Sequence, residues 1–586
     1  MPPQARRKQA SARPKTQPRQ ESSTRAGNPV AATDQQKPEK QPIVHVLLVF
    51  PIVLTIASAS LAAWIYTRAL DPLYGAVATG LHLNKVVWAA TLLAGFGPTL
   101  SGWTATGFLG VALCALPSSA YWTAAYTGAN FKDPVVGPVV THVAALGPVV
   151  FFAVATVRRM ILLVLGAAFV SVWATSVPLL RVTADKAGRA SSAIPWHILI
   201  PIAVIGALPL AIPHLTSPVL RRPLQSPYTK PASPVRILSS VQSVTGLIVV
   251  GESLPPAKST FDYPYDLRYL RASHSLLGGV WIGSKVSGLD ETAQFPVDDT
   301  GTVLGDSIYS TFVLQEAVRL VDKEARAIPD IGETALIIGL GAGISAAALT
   351  RHGVATTIVE IDPAVYNASR QYFGLPEPAP EILFLSDARR VVLEKARERR
   401  VEAKGDLYDY VIHDLFSGGA VPGHLFTLEF WEDLKTIMNP DGIVAVNYAG
   451  SVGTEVSRAV FLTLQRSFGQ CRVFHDSMKP IPEHEIQGDF RNLVFFCSPS
   501  TKPIIFRQAI QADYLGSHLR ANVLAHLDST REVRAEVITG DIRGQEYEKW
   551  IIKDAANKLN EWQKPSALEH WKLMRNVLPD VFWTTY

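Results

Sequence analysis

The chain has 586 residues, of which 48% are hydrophobic and 18% charged, with a formal net charge of +5. That balance is too apolar for a purely soluble protein and too charged for a purely membrane-embedded one, and the length exceeds a single typical domain. So small a net charge gives no case for nucleic acid. The three cysteines, Cys114, Cys471 and Cys497, lack metal-ligand spacing and are too few for a disulfide framework, which points to a reducing compartment and no metal site.

Residues 1–42 are polar, with nine basic residues (Arg6, Arg7, Lys8, Arg13, Lys15, Arg19, Arg25, Lys37, Lys40) against Glu21, Asp34 and Glu39. They show no cleavable-signal pattern and nothing that could bury apolar surface, so a disordered basic tail is expected.

Residues 43–216 read as a transmembrane domain of five or six helices. The runs Ile43–Thr67, Val86–Phe131, Pro134–Val157, Met160–Leu180 and Ala190–Leu220 are almost free of charge, and Val86–Phe131, with help from residues 75–85, is long enough for two crossings. A soluble helix would carry charges on its outer face. Basic flanks stay on the cytosolic side, and both the tail and Arg221-Arg222 are basic. An even count, six, follows, giving an integral multi-pass protein with its catalytic domain in the cytosol. Arg181, Lys186 and Arg189 then fall on the opposite side.

Pro-rich residues 217–234 are a linker. Residues 235–300 predict a small β-rich domain, with strands in Arg236–Glu252 and Tyr263–Ile282. Residues 301–500 predict a seven-stranded Rossmann-type sheet, entered through a helix near Ser307. Residues 501–586 predict a helical extension whose tryptophans pack on the catalytic domain.

The chemistry lies in the Rossmann-type part. The strand run Ala335–Gly339 leads into Gly339-Leu340-Gly341-Ala342-Gly343 and then a helix at Ile344–Arg351. Strand, glycine turn and helix is the order a nucleotide site requires, and Gly339, Gly341 and Gly343 allow close backbone approach. A second strand, Thr356–Glu360, ends in an acid able to accept both ribose hydroxyls. A third ends at Asp387, where a carboxylate can take an adenine amino group. A fourth, Tyr408–Asp414, ends in His413-Asp414, the candidates for a base. Strands at Gly442–Asn447, Cys471–His475 and Leu493–Cys497 complete the sheet.

Taken together, Gln315-Glu316, the glycine loop, Val359-Glu360-Ile361-Asp362-Pro363, Ser386-Asp387-Ala388, Asp409–Asp414, and Leu425-Phe426-Thr427 with Glu429-Phe430 resemble the spermidine/spermine synthase family. The resemblance runs from about residue 236 to 500, and the chain looks like a membrane-fused member. It implies that Gln315 contacts the nucleoside, Glu360 holds its ribose, Asp387 holds its adenine, and Asp414 acts as the catalytic residue facing the acceptor.

The sequence departs from that family where the amine binds. The aminopropyl enzymes carry an Asp in the glycine loop for the amine of decarboxylated S-adenosylmethionine, and Ala342 stands there. Their second Asp after the catalytic one is Ser417. Their Ile-Pro-Thr-Tyr-Pro element is Ile481-Pro482-Glu483-His484-Glu485, which keeps two acids but lacks the Tyr. The expectation is therefore methyl transfer from S-adenosylmethionine to a small-molecule acceptor, by positioning, with His413 or Asp414 as base. Polyamine aminopropyl transfer from decarboxylated S-adenosylmethionine is the alternative, and a nucleoside-binding membrane scaffold a third. An oligomer is compatible with all of them.

Overall fold

In a computed structural model the described residues are 42–97, 100, 102–176, 219–255, 263–291, 293–322, 332–402, 405–415, 418–542 and 545–586. The expected tail, the basic loop at 181–189, most of the run Ala190–Leu220 and Ser417 lie outside them.

The N-terminal region is helical: α1 (Pro42–Gly80), α2 (Leu83–Phe96), α3 (Gly102–Phe131), α4 (Val136–Thr141) and, after a π-helical turn at His142–Leu146, α5 (Gly147–Ser176). Among the described residues three helical segments are long and apolar enough to cross a membrane, Val49–Gly80, Trp103–Phe131 and Val136–Leu165. The division expected at Arg158-Arg159 is corrected, because one helical run passes through the pair. Arginine is a good helix former, and Arg158 Nη1 donates to the carbonyls of Ala94 and Gly97 at 3.2 and 3.0 Å, satisfying acceptors at the end of α2. At 14 residues, α2 is too short for a crossing.

The described residues divide into two compact units between Pro51 and Ile52. Within the second, the helices share a core with the small sheet and the C-terminal helices. Tyr74 stacks on Trp571, whose indole donates to the carbonyl of Leu73 at 3.0 Å, and Tyr121 donates to the carbonyl of Thr584. The C-terminal helices Lys564–Val577 and Asp580–Thr584 thereby join the apolar helices to the small sheet.

That sheet is antiparallel, in the order β1 (Tyr228–Thr229), β2 (Val235–Ser243), β3 (Gly246–Ser253), β4 (Leu267–Ala272) and β5 (Ser275–Trp281). The larger sheet contains β6 (Thr334–Ile338), β7 (Ala355–Glu360), β8 (Leu383–Leu385), β9 (Tyr408–His413), β10 (Met438–Ser451), β11 (Gln470–His475) and β12 (Phe490–Ser498), in the order β11-β12-β10-β9-β6-β7-β8. β8, β7, β6, β9 and β10 are parallel, while β12 runs antiparallel to β10 and β11. It is a seven-stranded, Rossmann-like mixed sheet. The chain reverses its winding between β6 and β9, so a crevice opens at their carboxyl ends. Alternation along each strand divides the core. Leu336, Ile338, Val411, Val444 and Val446 face one layer, and Ala335, Ile337, Tyr410, Ile412 and Ala445 face the other.

The reading of the cysteines is corrected in the same sheet. Cys471 and Cys497 are directly opposite in the β11–β12 register and form a disulfide.

Candidate functional site

At the β6–β9 crevice lies a cavity of about 460 Å³, walled by the glycine loop, the ends of β7 and β9, the segment 420–425, and Thr245, Ala272, Leu276 and Leu277 of the small sheet. Its position depends on the turn between β2 and β3. Asp362 caps the helix Pro363–Tyr372 by accepting from Ala364 N, and the same carboxylate accepts from Ser243 Oγ and from the amide and hydroxyl of Thr245. One acid thus fixes both a helix start and the wall above the cavity.

The loop after β6 needs its glycines. Gly339 has φ +83°, and a Cβ there would fall 2.1 Å from the carbonyl oxygen of Asp414; at Gly341, with φ +53°, it would fall 2.5 Å from that of Leu277. The loop can therefore press against β9 on one side and β5 on the other.

Glu360, at the end of β7, is 7% exposed. Its Oε2 accepts from the amide of Leu340 at 2.8 Å and its Oε1 from the amide of Asp362 at 2.9 Å. Burial pushes its pKa up to about 6, against the pull of those amides. Asp387 accepts from the amide of Arg389 at 2.8 Å, capping the helix Ala388–Glu402, and its second oxygen lies 3.3 Å from His424 Nε2. Asp414 accepts from Gln315 Nε2 at 3.0 Å and Asn447 Nδ2 at 2.7 Å. Burial pushes its pKa above the usual carboxylate range, while those two amides pull it down.

The structure thus brings Gly339, Gly341, Glu360, Asp387 and Asp414 to one cavity. Gly343, with φ +77°, starts the helix Ile344–Arg351 behind it. Gln315 is fully buried with its amide committed to Asp414 and to Ser345 Oγ. It lines a small recess behind the glycine loop, where Gly339, Leu340 and Asp414 border both this recess and the main cavity, and it holds Asp414.

His413 is corrected as a base candidate. It precedes Asp414 on β9 and points to the opposite face, where it packs on Phe426, Phe430 and Trp431 and lies 3.2 Å from the carbonyl of Leu425. Burial lowers its pKa to about 3, which favours the neutral ring. The element Ile481–Glu485 is also placed elsewhere. Glu483 pairs with Arg534 at the surface, His484 and Glu485 are exposed, and neither acid lines the cavity.

Asn447, His424 and Thr245 line the cavity without having been singled out in the sequence. Asn447 had a signal, since it is the polar residue ending the apolar run Ile443–Val446 of a strand. His424 and Thr245 lie on a loop and a remote hairpin and had none.

Ala342 is buried against β5, and a Cβ on Gly278 would fall 2.8 Å from its methyl. A longer side chain at 342 would press on that strand. Among the described residues no group of His, Cys, Asp and Glu has the arrangement of a metal site.

Residues 325–500 match the spermine/spermidine synthase domain, so this part of the chain carries a domain of that family. The chain is 37% identical over 351 residues to an N-terminal histidine N-methyltransferase of Emericella nidulans, covering 59% of this chain and 57% of that protein. It is 33% identical over 117 residues to a polyamine aminopropyltransferase of Vibrio vulnificus, covering 20% of this chain and 37% of that one. The chain therefore spans less than two thirds of the length of either curated relative. A probable spermidine synthase structure from Corynebacterium glutamicum superposes with a TM-score of 0.33 at 17% identity, over 50% of this chain and 89% of that one.

Proposed function

We propose that this chain is a membrane-anchored S-adenosylmethionine-dependent methyltransferase whose acceptor is the imidazole of an N-terminal histidine. The acceptor residue, an N-terminal histidine, comes from the Emericella nidulans relative and replaces the small molecule expected from sequence; the imidazole is assigned as the reacting group because a neutral ring offers a lone pair on one nitrogen and an N–H for Asp414 on the other. The observation that carries the donor is the cavity itself. It combines a buried carboxylate at the end of β7 with a glycine loop too close-packed for side chains; Ala342, where an aminopropyl enzyme needs an acid, belongs to the same loop, with its methyl against β5.

The residues fit the donor. The volume is within the usual range for a small-molecule site, roughly 300–1,000 Å³. Glu360 keeps lone pairs for two hydroxyls beyond those used by Leu340 and Asp362. Asp387 has an oxygen for an amino group. At Ala342 there is no carboxylate to repel that of S-adenosylmethionine, and a pair of like charges at about 4 Å would cost roughly 4 kcal/mol at intermediate dielectric.

Bound in this cavity, the donor supplies an electrophilic methyl group. The protein holds the acceptor in line with it and excludes water. A neutral imidazole has one nitrogen with a free lone pair and one N–H. Asp414 can accept a hydrogen bond from that N–H, leaving the other nitrogen free to attack. As the methyl passes to it from the sulfonium, whose sulfur keeps the electron pair of the broken C–S bond and leaves as a neutral thioether, the ring becomes cationic, and Asp414 is placed to stabilise that charge and then take the N–H proton. Gln315 and Asn447 fix the carboxylate for this role.

The apolar helices seat this domain at a membrane. The basic tail favours the cytosol, whereas the Cys471–Cys497 disulfide favours an oxidising compartment for the catalytic domain. An odd number of crossings satisfies both, in place of the six with a cytosolic catalytic domain expected from the flanks.

Thermal melting of the purified full chain tests the donor assignment. S-adenosylmethionine should raise the melting temperature at concentrations where its decarboxylated form does not. A larger shift with the decarboxylated donor would return the chain to aminopropyl transfer.

A further inference from the structure

One wall of the donor cavity is the segment 420–425, from which Ala420, Val421, Pro422, His424 and Leu425 line the space. This wall carries one short helical turn, Gly423–Leu425, and no strand or longer helix. Its backbone groups therefore need partners from elsewhere. They find them in the C-terminal extension, beyond residue 500 where the match to the spermine/spermidine synthase domain ends.

Val421 is buried, and both its backbone groups meet one side chain. Its amide donates to Gln563 Oε1 at 2.9 Å, and Gln563 Nε2 donates to its carbonyl at 3.2 Å. A primary amide offers an acceptor and a donor on one planar group, so it can stand in for a strand neighbour. Two residues on, Asn557 Nδ2 donates to the carbonyl of Gly423 at 2.8 Å, while its Oδ1 accepts from the amide of Leu559 at 3.1 Å. At Gly419, with φ +81°, a Cβ would fall 2.4 Å from Cα of Ala567, so the chain enters the wall pressed against the helix Lys564–Val577. That helix begins directly after Gln563. Toward its far end Trp571 Nε1 and Arg575 Nη2 both donate to the carbonyl of Leu73 at 3.0 Å, beside the interruption of α1 at Gly75. The support of the wall is itself anchored.

These contacts act at the end of the cavity where Asp387 awaits the adenine. His424, the residue after Gly423, lies 3.3 Å from Asp387 through Nε2. Val421, Pro422 and Leu425 offer apolar surface there. A gap of about 0.5–1 Å between such a surface and a flat base forfeits a quarter to a half of their dispersion attraction. The placement of the wall therefore sets how tightly the base is held.

Resting on the donor assignment above, we propose that the C-terminal extension completes the donor site, with Gln563 and Asn557 as positioning residues that hold the wall at contact distance from the adenine. Neither residue lines the cavity. Both act through the backbone of Val421 and Gly423.

The test titrates the purified full chain calorimetrically with S-adenosylhomocysteine, below the melting temperature of every variant so that folded protein is compared. Gln563→Leu, which keeps the bulk and removes the amide, should weaken binding by about 3- to 10-fold, as should Asn557→Ala. Ile538→Ala is the control, because it empties a fully buried site of the same extension away from the cavity. It should lower the melting temperature and leave affinity unchanged. Wild-type affinity in the two wall variants overturns the proposal and leaves the donor site standing. An equal loss in Ile538→Ala also overturns it, by making the effect one of general stability. Hydrogen exchange of the wild type reads the coupling with no substitution, and decides the matter should the variants not fold. S-adenosylhomocysteine should slow exchange in 557–563 together with 418–425; protection confined to 418–425 overturns the proposal. If S-adenosylhomocysteine does not bind the wild type, the donor reading itself fails and the proposal falls with it.

Discussion

Glu360→Gln should weaken donor binding while leaving the glycine loop largely in place. In the wild type Oε2 takes the amide hydrogen of Leu340 and Oε1 that of Asp362. Glutamine keeps the shape and one acceptor but turns an NH₂ toward one of those donors. A hydrogen bond to a charged group contributes about 1.5–3 kcal/mol, so loss of the charge should weaken binding by about one to two orders of magnitude. Alanine is a poorer choice, because it leaves two amides without acceptors at about 1–3 kcal/mol each and loosens the loop as well. The wild type makes a similar change when protonated. Its carboxyl is pushed up to about 6, so a donor requiring the ionised form binds fully above that value and loses about tenfold per pH unit below it. Isothermal titration of S-adenosylmethionine at about pH 8 and about pH 5 measures both effects. The wild type should weaken between the two, while E360Q should start weak and stay flat. Equal affinities at the higher pH, or a full pH dependence surviving in E360Q, would refute the assignment of Glu360 to the ribose.

Asn447→Leu removes one of the two donors that pull the pKa of Asp414 down. The acid limb of the rate profile should therefore move to higher pH with donor affinity unchanged; an unmoved limb would show that Asp414 is not the titrating base. His413→Ala should destabilise the fold by about 2–4 kcal/mol, as expected for emptying a buried aromatic site, and leave the shape of the pH profile alone. A changed profile at intact stability in denaturant titration would restore His413 to the chemistry. Protease treatment of sealed vesicles with the cytosolic face outward should cut a tag on the basic tail and spare one on the catalytic domain; cleavage of both would put the domain in the cytosol and leave the disulfide unexplained.

The sheet was legible because buried parallel strands leave plain traces. Runs such as Ala335–Ile338 and Thr356–Glu360 are short, apolar or β-branched and end at a glycine or an acid. The same logic places Glu360, Asp387 and Asp414 at strand ends from sequence alone. The facing of His413 is readable too: alternation along β9 puts it opposite Ile412 and Asp414, in the layer of Val411. What was not legible depends on contacts between distant segments. The pairing of Cys471 with Cys497 requires the antiparallel register of β11 and β12. The passage of one helix through Arg158-Arg159 requires the end of α2 to accept a guanidinium. The hold of Asp362 on Thr245 joins residues 117 apart in sequence, and no local pattern announces it.

The donor competition decides between methyl and aminopropyl transfer: the purified full chain is given equal amounts of S-adenosylmethionine and decarboxylated S-adenosylmethionine, with putrescine and a peptide beginning in histidine, and the products are identified by mass. One added methyl is expected, located by fragmentation on the imidazole of the peptide, with no spermidine. Spermidine formed beside an unmodified peptide would rule out methyl transfer from this cavity.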